Sequence, residues 1–325
     1  MRIAGRINKK VLRDYNMSEN VKVSASPHVR SNMSTSRIMF FVIIALLPAT
    51  LYGIYQFGFN SALLVAVCVA VCVISEFVYE KLMRAPVTIG DLSAVVTGLL
   101  LALNLPPNAT WWMAVIGSVF AIIVVKMLFG GIGQNFMNPA LAARCFLVIS
   151  FTARMNNFVY DGVTKATPLA SIREGNPVDL LDMFIGRIPG TIGEVSTVAL
   201  LAGAVFLIIT GVIDFRIPCA YLVSFVLFMG LFSQSGWSIP YLVAQICGGG
   251  LILGAFFMAT DYVTSPITKT GRVIFGVCCG LLTGMFRVFS SSPEGVSYAI
   301  IISNLLVPLI ERITVPKCFG KGGEN

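Results

Sequence analysis

Long apolar runs separated by short polar joints are the feature of this sequence that most limits its fold. Hydrophobic residues make up 56% of the chain and charged residues only 12%, whereas soluble domains carry about 25% charged residues. The mean hydropathy is +0.85. Repeated runs of this kind exclude a single soluble core, a disordered chain and a protein with one membrane anchor. The sequence therefore predicts an all-α, polytopic membrane protein.

The apolar runs approach the length at which a helix crosses a bilayer, about 20 residues. We predict ten spans, at residues 38–57, 61–80, 91–105, 111–129, 138–152, 195–213, 217–233, 239–259, 273–289 and 296–313. Between the fifth and the sixth lies a stretch rich in charged residues, Gly and Pro. The chain is thus predicted to comprise an N-terminal tail (1–37), a first half (38–152), an outer loop (153–194), a second half (195–313) and a C-terminal tail (314–325).

Basic residues indicate the orientation of the chain. The N-terminal tail is rich in Lys and Arg and has no uninterrupted apolar core, so we interpret it as a cytosolic tail and not as a cleavable signal peptide. With this tail inside, most of the 23 basic residues fall in inside segments, and those outside are Arg154, Lys165, Arg173, Arg187 and Arg287. The positive-inside rule then predicts two cytosolic termini and an outer or periplasmic loop, in a bacterial or archaeal cytoplasmic membrane. The net charge of +8 follows this distribution and does not indicate nucleic-acid binding.

Five spans on each side of the loop would cross the membrane in opposite senses, as inverted repeats do. Two stretches support such a relation: the apolar run at Gly98 dissolves into a Pro-containing segment at residues 104–110, and the run at Gly254 does the same at residues 261–270. Short, interrupted segments at matching places are typical of inverted repeats with broken helices. Two ordinary bundles with Pro-rich turns are the alternative.

Familiar soluble catalytic sites cannot be built within the membrane portion. His28, in the tail, is the single histidine, which excludes a Ser-His-Asp triad and a histidine-rich metal site among the spans. The eight cysteines contain no Cys-x-x-Cys pair. Cys68 and Cys72 share a helix face, where buried packing is favoured over an iron–sulfur cluster shared with a partner protein.

Residues 130–144 form a glycine-rich stretch that leads into the fifth span. Asn138 is predicted to cap that helix, and Pro139 suits its first turn. The amides of Asn135 and Asn138 could equally bind the edge of a heterocycle, and the residues alone leave both interpretations open. Arg144 is costly in lipid and must face protein, water or a ligand.

In the outer loop, residues 161–167 have the pattern Asp-x-x-Thr-x-Ala-Thr, which resembles the site at which a flavin transferase attaches FMN to a threonine through its phosphate. The chemistry requires an exposed hydroxyl in an accessible turn. Thr167 is predicted to be extended because Pro168 follows it, and Lys165 could offset phosphate charge. Asp161, Thr164, Lys165 and Ala166 are the predicted recognition residues around the acceptor Thr167.

The chain as a whole resembles the RnfD/NqrB family. This family comprises the D component of the Rnf complex, a membrane ferredoxin:NAD oxidoreductase, and the B component of the sodium-pumping NADH:quinone oxidoreductase. The resemblance is carried by residues 26–28, 99–107, 130–144, 161–167, 261–266 and 287–304. It implies covalent FMN on Thr167 and non-covalent riboflavin near Asn135 and Asn138. It also implies an electron relay coupled to Na⁺ or H⁺ transport.

Two features qualify this resemblance. Lys165 departs from the glycine that is usual in the family. The short N-terminal tail favours the Rnf protein over its quinone-reducing relative, whose tail is longer.

The partners that this resemblance implies are Rnf subunits A, B, C, E and G, with ferredoxin and NAD used by the complex, a flavin transferase for maturation, and membrane lipid. A flavin-free inverted-repeat channel or transporter and a scaffold for peripheral redox proteins are the competing hypotheses. Asp261, beside Thr264 and Ser265, is a weak candidate for a Na⁺ ligand, with a turn-forming aspartate as the alternative. Lys126, Asp214 and Arg216 are interpreted as snorkelling or orienting residues at span ends.

Overall fold

The computed structural model describes residues 33–160, 163–164, 167–174, 178–233, 236–290 and 295–316. Within these residues the fold is helical, apart from a two-residue ladder in which Val159 pairs with Thr164. The predicted all-α class is therefore confirmed. Most of the two predicted tails lies outside the described residues.

The first half contains five helices that follow the predicted runs. They are α1 (Thr35–Phe57), α2 (Phe59–Leu82), α3 (Ser93–Leu103), α4 (Trp111–Val119) and α5 (Pro139–Ser150). The helix α4 continues as a π-helical segment, Phe120–Lys126, and a 3₁₀ turn, Met127–Phe129. Segments of π-helix are rare and are frequent at functional sites.

The predicted outer loop is more ordered than its composition indicates. It contains α6 (Thr152–Met155), β1 (Val159–Tyr160), β2 (Val163–Thr164), α7 (Pro168–Arg173) and α8 (Leu180–Ile185). A capping residue precedes each of α7 and α8, Thr167 and Asp179 respectively. Its side chain accepts a hydrogen bond from a backbone N–H of the helix. Local capping therefore organises the polar stretch without a long apolar run.

The second half begins after this loop. Its helices are α9 (Thr197–Ile209), α10 (Arg216–Phe232), α11 (Ile239–Cys247), α12 (Leu251–Leu253), α13 (Lys269–Phe289) and α14 (Val296–Thr314). The short α12 continues as a second π-helical segment, Gly254–Met258. The predicted run 239–259 is therefore two pieces, α11 and α12, which are bent by 63° at a break. Gly249 and Gly250, with φ of 66° and 64°, make that bend possible.

Five helices within the described residues are long and apolar enough to cross a membrane, and the bent pair makes a sixth. Four more apolar helices are shorter, namely Ser93–Leu103, Pro139–Ser150, Thr197–Ile209 and Arg216–Phe232. Together these account for the ten predicted runs. Among the short helices, Ser93–Leu103 is buried in protein at both ends, and Pro139–Ser150 and Thr197–Ile209 are buried at their first residues. Backbone groups at buried ends must find partners within the protein.

The two halves share one local geometry. Both α3 and α12 start directly after a left-handed residue, Leu92 with φ 64° and Gly250 with φ 64°. A left-handed leucine costs about 1–2 kcal/mol, so its surroundings must hold it in place. Asp91 does so by accepting hydrogen bonds from the Ser93 N–H at 2.8 Å and from the Ser93 hydroxyl at 2.6 Å. This match supports the predicted relation between the Gly98 and Gly254 stretches.

Backbone contacts tie the outer loop to the end of α3. The N–H groups of Ile192 and Gly193 donate to the carbonyls of Leu105 at 3.1 Å and Leu103 at 2.8 Å. Asn104 donates its side-chain amide to the Leu100 carbonyl at 2.6 Å and lies 3.8 Å from the Met258 sulfur. The end of α3 is thus bound by the outer loop, and Asn104 also contacts the second half through Met258.

Candidate functional site

A central cavity lies between the two halves. Its empty volume is about 760 Å³, including the space at its mouth, and its walls come from α1, α3, the 126–139 segment, α9 and residues 256–263. The lining is mostly apolar, with a limited polar set formed by Ser93, Thr97, Lys126, Asn135, Asn138, Thr260, Asp261 and Tyr262. An apolar cavity with a few polar groups in its lining is typical of a cofactor site.

A buried ion pair forms one side of this cavity. The Lys126 ammonium donates to Glu76 Oε2 at 2.7 Å, to Glu76 Oε1 at 2.9 Å and to the Ser93 hydroxyl at 2.6 Å. All three ammonium protons therefore have an acceptor. Lys126 is 3% exposed and Glu76 0%. The snorkelling interpretation of Lys126 is wrong, because the side chain turns inward from the π-helical segment to the first residue of α3.

A second carboxylate fixes the segment that leads into α3. Glu80 Oε1 accepts hydrogen bonds from the Thr88 hydroxyl at 2.5 Å and from the Thr88 N–H at 3.0 Å. Glu76 and Glu80 lie one turn apart on α2, so both face residues 88–93. The two carboxylates and Lys126 thus hold the entry to α3 against α2 and α4.

The predicted asparagines lie at the cavity, but they play different parts. Asn138 caps α5, since its Oδ1 accepts from the N–H groups of Ala140 at 3.1 Å and Leu141 at 3.3 Å. Its Nδ2 donates to the Met258 carbonyl at 3.4 Å. The predicted cap is confirmed, and the Asn138 side chain is occupied by protein. Asn135 is less committed, with one side-chain bond from Nδ2 to the Met137 carbonyl at 3.2 Å.

Asn304 on α14 joins the same network across the halves. With its amide oriented to satisfy both neighbours, it accepts from the Asn138 N–H at 3.2 Å and donates to the Thr264 carbonyl at 3.2 Å. Asn304, itself bound to Thr264, thereby fixes the N-terminus of α5 beside the cavity. Asn304 falls in a stretch that carries the family resemblance, but its link to Asn138 could not be deduced from sequence.

Asp261 lines the cavity beside Thr260. Its carboxylate lies 3.4 Å from the Val263 N–H and 3.3 Å from the Thr264 hydroxyl, and its carbonyl accepts from the Ser265 N–H at 3.1 Å. These contacts are those of a turn-forming aspartate. The described residues contain no group of three His, Cys, Asp or Glu side chains that could hold a metal ion. Na⁺ binding at Asp261 remains a prediction.

Arg144 does not line the cavity. It is 8% exposed and donates to the Ser297 hydroxyl on α14. Arg144 thus faces protein and not lipid, as expected, and its contact with a cofactor stays a prediction. The charge therefore links α5 to α14.

The Thr167 site lies apart from this cavity. Thr167 is extended, with φ −63° and ψ 155°, and its hydroxyl oxygen accepts from the Ala170 N–H at 3.4 Å. The predicted extended conformation before Pro168 is confirmed. The expected exposure is wrong for this conformation, because Thr167 is 9% exposed. The predicted neighbours Asp161, Lys165 and Ala166 lie outside the described residues, and Thr164 is described in its backbone alone.

Thr167 opens onto a small pocket of about 280 Å³ empty volume, which Leu169, Pro189, Glu194, Gly248 and Gly249 also line. Glu194 is held by the Thr191 hydroxyl at 2.9 Å and the Thr191 N–H at 3.2 Å. The pocket floor is the break between α11 and α12. Thr167 is therefore packed directly on the bend in the second half.

Arg287 organises that break. Its guanidinium donates to the carbonyls of Gln245 and Gly248, the latter at 2.8 Å, and to Gln245 Oε1 at 3.1 Å. A cation that binds the last carbonyls of a helix also opposes the negative end of its dipole. The side chain is 6% exposed and lies 5.0 Å from the Phe225 ring centroid. The sequence places Arg287 at the outer end of the predicted span 273–289 but does not identify these partners.

The described cysteines form no disulfide. Cys68 and Cys72 are buried on α2, and the Cys72 sulfur lies 4.0 Å from the Ser118 carbonyl of α4. Their surroundings are those of packed, apolar side chains. The favoured packing interpretation agrees with this geometry, while a cluster shared with a partner remains untested. Cys318 lies outside the described residues.

Comparison with known proteins covers nearly the whole chain. Residues 22–320 match the model of the NQR2, RnfD, RnfE family. The chain is similar to the D subunit of the Na(+)-translocating ferredoxin:NAD(+) oxidoreductase complex of Acetobacterium woodii, at 48% identity over 93% of this chain and 96% of the relative. It is 38% identical to the D subunit of the proton-translocating ferredoxin:NAD(+) oxidoreductase complex of Clostridium ljungdahlii, over 92% and 96%. It is 34% identical to the D subunit of the ion-translocating oxidoreductase complex of Actinobacillus succinogenes, over 93% and 98%. With its family model and these relatives matched almost from end to end, this polytopic membrane protein belongs to the NQR2, RnfD, RnfE family.

Proposed function

We propose that the chain is the D subunit of an ion-translocating ferredoxin:NAD oxidoreductase of the Rnf type. The observation that carries this proposal is the end-to-end similarity to relatives that bear that name, at up to 48% identity. The proposed partners are Rnf subunits A, B, C, E and G. Its role there is to relay electrons through two flavins, FMN on Thr167 and riboflavin in the central cavity.

The Thr167 site can carry a covalent flavin phosphate once its turn opens. A hydroxyl that ends an extended turn can be esterified without removing a core side chain, and the 280 Å³ pocket beside it is too small for a whole flavin. The flavin ring therefore lies outside the pocket. The Glu194 carboxylate lines this pocket and disfavours a phosphate inside it, so the phosphate also points outward from the break. Because Thr167 is buried and caps α7, the turn must open for a transferase to reach the hydroxyl.

The central cavity suits a non-covalent flavin. Its walls are mostly apolar, and a few polar groups, Lys126, Asn135 and Asp261 among them, also line it. Asn135 supplies the less committed amide for hydrogen bonds along a heterocycle edge. Asn138 acts by holding α5 and the Met258 carbonyl in place.

A flavin in either site supplies reversible electron transfer. What the chain contributes is positioning and charge. The Lys126 ammonium lines the cavity while its partner Glu76 does not, so this ion pair presents its positive end, without a net charge, to a bound group. The apolar walls from α1, α9 and residues 256–257 keep water from that group.

The sodium-pumping quinone reductase is the second candidate, because the same family model includes its membrane component. A flavin-free channel or transporter is the third. All three use an inverted-repeat membrane domain, but a transporter has no use for an esterified flavin. We orient the Thr167 loop outside the cell on the positive-inside rule.

Flavin fluorescence of the denatured chain on a gel tests the proposal, after co-expression with a flavin transferase. The variants are Thr167→Ala, which loses hydroxyl and cap, and Thr167→Asn, which keeps a good capping oxygen but has no hydroxyl to esterify. The control is Ser196→Ala, which removes a comparable buried cap, that of α9. We expect fluorescence in the wild type and the control alone. A dark wild-type band, with the transferase active on a known acceptor, would refute the FMN assignment.

A further inference from the structure

An apolar groove runs along the surface between α10 and α13. Apart from Arg216 and Ser224 its lining is apolar, with Cys219, Val223 and Leu227 on one wall and Val273, Val277 and Leu281 on the other. Its empty volume is about 1020 Å³, including open space. The helices meet along glycines of α13, where a Cβ on Gly276 would lie 2.7 Å from the Ile217 carbonyl oxygen. The close packing of α10 against the glycine face of α13 leaves the groove beside that contact.

The length of the groove matches one leaflet of a bilayer. On α10 its lining extends from Phe215 to Leu227, which at about 1.5 Å per residue is roughly 18 Å. The hydrocarbon core is about 30 Å thick, so one leaflet is about 15 Å. A helix from a partner protein that crosses the membrane would require a groove along the full thickness. The dimensions therefore favour an acyl chain from a single leaflet.

Positive charge is concentrated at one end of the groove. Asp214 accepts from Arg216 Nη1 at 2.8 Å and from Arg272 Nη1 at 2.7 Å, so two guanidinium groups share one carboxylate. Lys269 is exposed one turn before Arg272. The Arg216 side chain is 45% exposed, and its contact with Asp214 leaves Nη2 and Nε for another anion. An apolar trough that ends at a cationic group is complementary to an anionic amphiphile.

We propose that this groove binds one anionic phospholipid. One acyl chain lies along α10 and α13, and the headgroup phosphate is bound by Arg216 and attracted by the surplus charge of Arg272 and Lys269. The site is separate from the central cavity and from Thr167. It therefore does not depend on either flavin assignment.

Quantification of lipid classes by mass spectrometry tests the site. The chain is purified in mild detergent, alone and in its complex, as wild type, Arg216→Gln and Val223→Trp. Arg216→Gln keeps the hydrogen bond that Asp214 accepts from the backbone N–H of residue 216. Val223→Trp fills the groove with a larger side chain. The matched control is Lys81→Gln, which removes an exposed cation at the end of α2.

We expect both groove variants to retain less phosphatidylglycerol or cardiolipin per chain, by about fivefold for Arg216→Gln, with the control unchanged. Zwitterionic lipid should change little in Arg216→Gln. The proposal is overturned if the wild type retains no anionic lipid, or if Arg216→Gln loses no more anionic lipid than Lys81→Gln does. It is equally overturned if anionic and zwitterionic lipid fall together in Arg216→Gln. It is also overturned if the lipid is present on the isolated chain and absent from the complex, since another protein of the complex then covers the groove.

Discussion

The ion pair between Lys126 and Glu76 gives a prediction that can be worked from the structure. Lys126→Met removes an ammonium that makes three hydrogen bonds of 2.6–2.9 Å and leaves Glu76 fully buried. The remaining contact of that carboxylate is the Thr88 hydroxyl at 3.5 Å. Loss of one partner from a buried pair costs about 3–5 kcal/mol. We expect a loss of that size in the free energy of unfolding.

The double variant distinguishes a charge effect from loss of side-chain packing. In Lys126→Met with Glu76→Gln no charge is left unpaired, so the combined loss should be smaller than the sum of the single losses by about 1–3 kcal/mol. Glu76→Gln alone should cost less than Lys126→Met, because the amide oxygen still accepts one bond from the ammonium.

Titration with SDS in mixed micelles, followed by far-UV circular dichroism, measures these free energies. Lys81→Met is the control, because Lys81 is an exposed lysine at the end of α2 and should change stability by less than about 0.5 kcal/mol. Additive losses in the double variant, or a loss below about 1 kcal/mol in Lys126→Met, would show that the pair does not hold α3 against α2.

Three further perturbations test other parts of the fold. Arg287→Lys should destabilise the chain by about 2–4 kcal/mol in the same titration, since one ammonium cannot bind the Gln245 and Gly248 carbonyls as a guanidinium does. Gly203→Ala should separate α9 from α1, because its Cβ would overlap the Ala45 carbonyl, and should cost about 1–3 kcal/mol. Partial burial alone would raise the pKa of Asp214, but hydrogen bonds and charge from Arg216 and Arg272 outweigh it and lower the pKa. The contribution of Asp214 is complete above the unfolded-state pKa of about 4 and is lost as the pH falls through the lower folded-state pKa, so the stability difference between wild type and Asp214→Asn should shrink as the pH falls below about 4.

The sequence is informative where local rules decide the structure. The apolar runs predict the ten helical regions, because a bilayer requires near-continuous apolar length. The Asn138 cap and the extended turn before Pro168 also follow from local chemistry, as capping and proline restrict only neighbouring residues.

What escapes prediction depends on contacts between distant elements. The hydropathy of the run 239–259 predicts one span, although the three glycines at 248–250 carry the signal for a break. The position of Lys126 at a span end predicts a place at the membrane surface, because its partner Glu76 lies 50 residues earlier on another helix. The burial of Thr167 results from packing on the break that hydropathy does not predict.

Mass spectrometry of the chain purified from its native complex tests the central claim most directly. The account predicts a covalent flavin phosphate on the peptide that contains Thr167, and a second flavin, riboflavin, released from the same preparation by acid. A Thr167 peptide without modification, in a complex that still transfers electrons from ferredoxin to NAD, would contradict it.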